Sequence, residues 1–573
     1  MSASAPPKKP GIYLLGQEYE SSLSLSSTHV IGVQEEYVVL EEGALVPGGA
    51  ISLVSSEAMA LFAQYGAIGI LYGTLPGLGY PLFQVYLNLE GYQVAAFNIL
   101  VNIAWSFKIF MGGLSDCVAI YGYRRKPWMI LGWLVCLAGL IYLVCLSPGK
   151  PYCEARDDDN NCRSLINPNT EATSIRITLG TVVATFGYVT SACASDALVV
   201  QYAQREPVHS RGRIQTAIYT ARTIGQVVSS VLVGLLLNGT VYGGKFDFNV
   251  SVNVLFAILC VPAASALCTA AWVVVERKTE SVPFHKWADQ FWKLSQKQAV
   301  WQILAFRFLS SLFQNFESTA GKPMALYWAK VQPFTDALTH AIGYVLFSAV
   351  LAFVGRYGLN WNWRWTIAIT TVVLIAIDST VYFLTIWDIV RNPWFYTGVT
   401  LTDEIPTGVR FIVSAFVATE LADLGNEGAV YGMVTTVNNL AIPVSSVLYK
   451  YVDSHLDFNN TAFATESVGS DADKARVRWA VSYSYFISYA MKMLSLVWLF
   501  MLPPQKAHVQ RLKRQGMVSP LAGRLTWALF LGLLAFSIVG NVASLFKDTS
   551  WWHIAGGNGV RPTPSPTSSS VVP

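Results

Sequence analysis

Thirteen apolar runs, each long enough to cross a lipid bilayer, recur along the whole chain. Hydrophobic residues make up 53% of the 573 residues and charged residues only 13%, about half the share in soluble domains. A soluble domain could not bury so much apolar surface, so the sequence predicts an all-α polytopic membrane protein. The predicted spans are 58–82, 94–115, 127–147, 175–201, 214–238, 251–275, 299–321, 338–356, 364–387, 405–423, 428–452, 476–503 and 524–547.

The spacing of these runs predicts two six-helix halves, 51–275 and 299–503, followed by an extra transmembrane helix at 524–547. In the segment between the halves, Phe284, Trp287, Phe291 and Leu294 recur on one helical face, as in a helix that lies on a membrane surface. The other segments lack apolar periodicity. We expect a disordered cytoplasmic arm, a cytoplasmic amphipathic linker, a basic cytoplasmic segment and a disordered outer tail at 1–50, 276–298, 504–523 and 548–573.

The lysines and arginines predict the orientation, because they are enriched in cytoplasmic loops. With the N-terminus in the cytoplasm, the basic clusters all lie on that side and the C-terminal tail lies outside. Three glycosylation sequons, at Asn238, Asn249 and Asn459, then fall in outer loops. Cys153 and Cys162 share the outer loop between the third and fourth spans. We expect a disulfide between them in an oxidising compartment, with two free thiols as the alternative.

The loop between the second and third spans has an unusual charge pattern. Asp116 lies where the second span ends, and Arg124 and Arg125 lie where the third begins. A carboxylate is disfavoured at a helix C-terminus and a cation at an N-terminus, so these charges should have partners outside their own helices. The alternative interpretation is a positive-inside anchor, for which the bases alone would suffice.

This loop, GGLSDCVAIYGYRRK at 112–126, resembles the cytoplasmic signature of the major facilitator superfamily. The matching residues are Gly113, Leu114, Asp116, Gly122, Arg124 and Arg125. Its expanded form, S-D-x5-G-Y-R-R, is similar to that of the folate-biopterin transporter family, as are the stretches at 195–212 and 420–439. The resemblance implies alternating access between two six-helix halves. It also implies that Asp116, held by Arg124 or Arg125, meets the start of span eleven and clamps the halves together when the cytoplasmic side closes.

Arg222 is the deepest charge that the sequence places in the membrane. It lies ten residues after Gly212, which is about 15 Å along a helix at ~1.5 Å per residue. Gln226 follows one turn later on the same face. Two interpretations are open: Arg222 belongs to a buried ion pair, or it receives an anionic group of a substrate.

Further polar residues inside the spans are candidates for the same site. The resemblance implies that spans one, four, seven and ten line the cavity, which draws attention to Asp196, Glu317 and Glu420 for coupling or gating. Asp196 and Glu420 have two equal interpretations: proton carriers, or members of cytoplasmic gate networks with bases such as Arg211 and Arg213. Hydrogen-bonding substrate contacts are expected from Gln64, Tyr65, Gln314, Asn315, Asn438 and Asn439.

These features predict a secondary active transporter for a folate- or pterin-type solute, with proton coupling as a hypothesis. The chain has no G-x4-G-K-[ST] phosphate loop and no zinc-type ligand set, so we expect no cofactor, metal or nucleic acid. The other expected partners are the lipid bilayer and protons, and we expect a monomer. S-adenosylmethionine, which some members of the resembled family carry, is the alternative substrate. A non-transporting multi-pass membrane enzyme or receptor is the alternative from another class.

Overall fold

A computed structural model of the chain describes residues 49–561, apart from 154–164, 168–169, 204, 207–212, 277, 279–282, 358–360, 422–426 and 467–468. The described residues are almost entirely helical. We call "cytoplasmic" and "outer" the two ends that the basic residues predict. The first six spans are α1 Ser56–Tyr86, α2 Gly91–Cys117, α3 Lys126–Cys145, α4 Glu171–Ala203, α5 Arg213–Leu236 and α6 Val252–Trp272.

The second half and the extra helix follow the linker helix Phe284–Ser295. They are α7 Gln298–Gln314, α8 Pro333–Tyr357, α9 Trp363–Ile386, α10 Pro393–Leu421, α11 Glu427–Asp453, α12 Asp471–Met501 and α13 Pro520–Ala543. Ten helices in the described ranges are long and apolar enough to cross a membrane. The other three predicted spans, α7, α10 and α11, are also helical but are shorter or more polar.

Helix α10 begins twelve residues earlier than the predicted span, at Pro393 instead of 405. Asp403, Glu404 and Pro406 interrupt the apolar run in the sequence. All three nevertheless lie within the helix, where Pro406 is buried and the two acids are half-buried. Because surrounding helices shield these groups from lipid, the helix extends beyond the purely apolar segment.

Helix α7 ends at Gln314 rather than at the predicted 321, and a short helix, Gly321–Tyr327, follows the break at 315–320. Side chains from two other spans satisfy the backbone there. Asp453 of α11 accepts hydrogen bonds from Thr319 N at 2.7 Å and Thr319 Oγ1 at 2.8 Å. Ser488 of α12 donates to Phe316 O at 2.6 Å. Irregular backbone at membrane depth requires such protein partners.

Each half has its own buried core, and the two halves meet at the outer side. The first core is built from residues 58–274, and two further cores are built mainly from residues of the second half. At the outer end, Asn460 Nδ2 donates to Leu89 O at 3.0 Å and Asn460 N donates to Glu90 Oε2 at 2.9 Å. Tyr80 donates to Val331 O between the same halves. The outer side is therefore closed.

Two segments outside the spans pack against the bundle. The linker helix presents the predicted apolar face, and Trp287 and Phe291 stack at 5.0 Å between ring centroids. Residues 548–561, which we expected to be disordered, are described, and His553 stacks on His455 at 4.3 Å. The prediction of disorder fails for these residues because apolar periodicity in a sequence does not detect aromatic contacts with a distant loop. Residues 1–48 and 562–573 lie outside the described residues.

Candidate functional site

Glycines bring α1 and α5 into close contact and thereby position Arg222. A Cβ added to Gly69 would collide with the backbone of Arg222. Two similar contacts flank it: Gly73 lies against Ser229, and Gly225 lies against the carbonyl of Gly66. Small residues at this spacing are how membrane helices approach closely without a hydrophobic driving force. The guanidinium of Arg222 is consequently carried toward α1 and α2.

Arg222 lies among aromatic rings rather than acids. Its guanidinium carbon is 4.5 Å from the ring centroid of Tyr72 and 5.2 Å from that of Trp105. Its Nε is buried without a hydrogen-bond partner, and in the described part of the chain no carboxylate is within ion-pairing distance. Among the described residues, Arg222 therefore forms no ion pair in this structure. Gln226 is buried one turn further along, and its backbone carbonyl accepts from Ser229 Oγ at 2.6 Å.

Asp196 belongs to a network that joins three helices of the first half. It accepts from Lys108 Nζ at 2.6 Å and from the hydroxyl of Tyr65. Lys108 also lies 5.2 Å from the ring of Trp105, so the network adjoins the surroundings of Arg222. The partner of Asp196 is thus Lys108 rather than Arg211 or Arg213, the bases that the sequence suggests. A single lysine inside the apolar run 94–115 was the available signal.

Gln64 is bonded to two other helices of the first half. It is fully buried, and its Nε2 donates to Ala266 O at 2.6 Å and Thr269 Oγ1 at 2.8 Å. Its Oε1 accepts from Trp133 Nε1. With its polar atoms bonded to α3 and α6, Gln64 holds those helices to α1 in this structure.

The candidates of the second half lie on α7, directly after it, and on α11, and each is hydrogen-bonded within the protein. Asn438 Oδ1 accepts from Ser311 Oγ at 2.7 Å, and Asn315 Nδ2 donates to Ser311 O at 2.7 Å. Asn439 Nδ2 donates to Trp105 O at 3.2 Å, which links α11 to α2 across the two halves. Gln314 Oε1 accepts from Arg410 at 3.0 Å. Asn439 thus contacts the same residue that flanks Arg222.

Glu317 is exposed on the break after α7. It and Asp403 interact electrostatically with Lys492, which also lies 3.7 Å from Asp378 Oδ2. Asp403 was missed because the predicted span began after it. The helix around Glu420 is described but its side chain is not, so the prediction for Glu420 lies outside the described residues.

The signature loop at 112–126 is held by side chains of α2, by Arg125 at the start of α3, and by a residue that follows α6. Arg125 donates to the carboxylate of Asp116 and, at 2.8 Å, to Ser115 Oγ. Glu276, just after α6, accepts from the backbone N–H groups of Arg124 and Lys126 at 2.9 and 2.8 Å. The acid compensates the dipole and the free N–H groups at the start of α3. Glu276 could not be identified from the sequence, because its partner Lys126 lies 150 residues away.

Two glycines of the signature have identifiable roles. Gly122 adopts a positive φ of 81°, in the left-handed region that favours glycine. A Cβ on Gly113 would lie 2.7 Å from the ring of Trp287 in the linker helix. By contrast, a Cβ on Gly112 would meet nothing within 4 Å. The signature therefore provides the surface on which the linker helix docks.

The outer sequons and cysteines differ in accessibility. Asn249 and Asn459 are exposed, whereas Asn238 is 1% exposed and its Oδ1 accepts from Phe334 N at 3.1 Å. A buried amide is not accessible for glycosylation in this conformation. Asn238 instead forms a contact between the outer ends of the two halves. Cys153 is disulfide-bonded. Cys162, its predicted partner, lies outside the described residues.

Comparison with known proteins supports the resemblance. The BT1 family model matches residues 75–153. The chain is 23% identical over 438 residues to a folate-biopterin transporter of Synechocystis sp., covering 71% of this chain and 77% of that one. It is 21% identical over 402 residues to folate transporter 1 of Plasmodium falciparum, covering 66% and 70%.

Solved structures show the same fold. A D-xylose-proton symporter aligns with a TM-score of 0.53 at 14% identity, over 80% of this chain and 99% of that one. The inward-open xylose transporter XylE from E. coli aligns with a TM-score of 0.50 at 14% identity, over 80% and 100%. The chain therefore has the major-facilitator fold of two six-helix halves, to which α13 is added.

Proposed function

We propose that this chain, similar in sequence to folate-biopterin transporters and built on the major-facilitator fold, is a secondary active transporter of an anionic folate- or pterin-type solute. It works by alternating access between the two halves, and it is neither an enzyme nor a receptor. The closed outer side is one of the two states that this cycle requires.

The observation that carries the proposal is the position of Arg222 against the rings of Tyr72 and Trp105, without an acidic partner among the described residues. A charge in the membrane that lacks a counter-ion is costly, and an anionic solute would supply one. The rings provide flat apolar faces beside the cation, which suits a heteroaromatic ring. Arginine also binds a carboxylate through two parallel hydrogen bonds.

The experiment is uptake of labelled folate, biopterin and S-adenosylmethionine into liposomes that contain the purified protein. We expect folate uptake, its loss in Arg222→Leu, and partial recovery in Arg222→Lys, which keeps the charge but not the bidentate geometry. Arg364→Gln is the matched control, since the side chain of Arg364 donates to the carbonyls of Leu502 and Phe500 at the cytoplasmic end of α9. Unchanged folate affinity in Arg222→Leu would refute the role of Arg222.

S-adenosylmethionine is the second candidate substrate, and one observation favours it. Glu317 is exposed on the break after α7, and Asp403 lies in the same electrostatic cluster. An exposed carboxylate suits a cationic solute. Uptake of S-adenosylmethionine without folate uptake, abolished by Glu317→Gln, would replace the anionic proposal.

We further propose that the protein works as a monomer and that transport is coupled to protons. Asp196, Glu317 and Asp378 are carboxylates within or beside spans that each face a lysine. Such a carboxylate can exchange its lysine for a proton during the cycle. A pH-sensitive dye inside the liposomes should report acidification during uptake, and Asp378→Asn should uncouple it. Solute accumulation with no proton movement would exclude the coupling.

A further inference from the structure

Two arginines of the second half lie side by side in the membrane. Arg307 is on α7 and Arg410 is on α10, and Arg307 Nη1 donates to the backbone carbonyl of Arg410 at 3.4 Å. The guanidinium of Arg410 donates to Ser310 Oγ at 2.8 Å and to Gln314 Oε1 and Thr371 Oγ1 at 3.0 Å. These partners on α7 and α9 are neutral. They direct the guanidinium into the second half and away from lipid.

Neither arginine has a counter-ion in the part of the chain that the structure describes. No carboxylate is within ion-pairing distance of either one, and the Nε atoms of both are buried without a hydrogen-bond partner. Other cations inside the spans do have counter-ions: Lys108 is paired with Asp196, and Lys492 with Asp378. Two adjacent cations also repel each other. A bound anion would offset this repulsion, which the neutral partners of Arg410 do not.

The pair lies at nearly the same depth as Arg222. Arg307 is nine residues from the cytoplasmic start of α7, as Arg222 is from the start of α5. Arg410 is eleven residues from the cytoplasmic end of α10. At ~1.5 Å per residue, all three are about 14–17 Å along their helices. Each half therefore presents uncompensated arginine charge near the middle of the membrane.

We propose that Arg307 and Arg410 form a second anion subsite, which binds one carboxylate of a solute whose other anionic group binds at Arg222. The preferred solute is then an organic dianion that spans the two halves. Folate, whose glutamate tail carries two carboxylates, satisfies this requirement. Pteroate has a single carboxylate and biopterin has none. This inference rests on the proposed function and specifies which member of the solute class is preferred.

The test compares inhibition constants of folate, pteroate and biopterin for uptake by the liposomes. In the unmodified protein we expect folate to bind about ten- to a hundredfold more tightly than pteroate, as charge-assisted hydrogen bonds to an added carboxylate would produce. In Arg410→Gln this ratio should fall to about one, with pteroate unchanged. Arg222→Leu should weaken both ligands.

Arg307→Gln is the second variant, because it removes a single hydrogen bond and preserves the contacts that Arg410 makes with α9. It should also reduce the folate-to-pteroate ratio. Unchanged pteroate uptake shows that each variant is folded, and Arg364→Gln should leave the ratio as it was. An unaltered ratio in both variants, or an equal loss of both ligands, would overturn the subsite. Failure of the unmodified protein to take up any of the three would instead refute the proposed function.

Discussion

Lys450 donates from Nζ to Asn541 Oδ1 at 2.9 Å, which joins α11 to the thirteenth helix. Lys450 is fully buried, and it also donates to Ser544 Oγ at 2.7 Å. Close packing accompanies these bonds, since a Cβ on Gly540 would lie 2.6 Å from Val447. The extra helix is therefore bound to the second half by a specific polar contact and is not a loosely attached anchor.

This contact predicts an asymmetric double-mutant cycle. Asn541→Leu should lower the free energy of unfolding by about 2–3 kcal/mol, because it removes one of the few acceptors of a buried ammonium group. Lys450→Met should change stability little, since an apolar side chain of similar length removes the need for that acceptor. The double variant should recover most of the loss. Thermal unfolding in detergent measures all three, and additive effects would contradict the coupling.

The contact between α1 and α5 predicts that Gly69 and Gly66 respond differently to the same change. Gly69→Ala should separate the two helices, displace Arg222 and abolish solute uptake, with a loss of about 1–3 kcal/mol in stability. Gly66→Ala, one turn earlier, should be tolerated because its Cβ would meet nothing within 4 Å. Uptake and thermal unfolding of both variants test this. Equal effects would show that the close approach at Gly69 is unimportant.

Asp116 should control the closing of the cytoplasmic side. In this outer-closed structure it is paired with Arg125, and the family resemblance implies that it meets the start of α11 when the cytoplasmic side closes. Asp116→Asn should weaken that closed state by about 1–3 kcal/mol. It should therefore slow turnover more than it weakens solute binding. It should also increase labelling of cysteines introduced along the cytoplasmic mouth.

Asp289→Asn is the control for this variant, because its pair with Lys293 is exposed on the linker helix. It should change neither turnover nor labelling. If Asp116→Asn behaves in the same way, the signature loop acts only as a positive-inside anchor.

Glu90 should make the outer closure sensitive to pH. Burial raises the pKa of its carboxyl from the usual 4.5 to about 7, although the N–H of Asn460 partly opposes the shift. When the outer side opens and Glu90 is hydrated, its pKa should return toward 4.5. The closed state thus binds more protons between these values, so acid stabilises closure and stability is lost as the pH rises toward 7.

Labelling at Met324→Cys measures this effect, because Met324 is fully buried in this outer-closed structure. Labelling by an impermeant maleimide, corrected for thiol ionisation, should be about ten- to a hundredfold slower at pH 5 than at pH 8. Glu90→Gln should give slow labelling at both values, because the amide resembles the protonated acid. Glu57→Gln, at the opposite end of α1, should behave as the parent. A persistent pH effect in Glu90→Gln would assign the sensitivity to another group.

Local sequence determined the transmembrane architecture and the position of Arg222 along its helix. Span lengths follow from runs of apolar residues, and depth follows from counting residues along a helix, so neither requires knowledge of tertiary contacts. The resemblance carried by the loop at 112–126 was also local. For these reasons the fold class and the depth of Arg222 in the membrane could be predicted. The predicted start of α10 was wrong, because charged residues interrupt the apolar run there.

The tertiary structure decided which polar residues are neighbours. Asp196 is hydrogen-bonded to Lys108 and Tyr65, which lie on two other helices. The break after α7 is stabilised by Asp453, which lies 134 residues from Thr319 in the sequence. Tertiary packing likewise placed the Nε2 group of Gln64 against its acceptors on α6 and brought Arg307 next to Arg410. A buried charge appears in the sequence as a single interruption of an apolar run. Helix packing determines which residue lies next to this charge. A charge that is paired within the protein has a structural role, whereas an unpaired one is a candidate ligand of a solute.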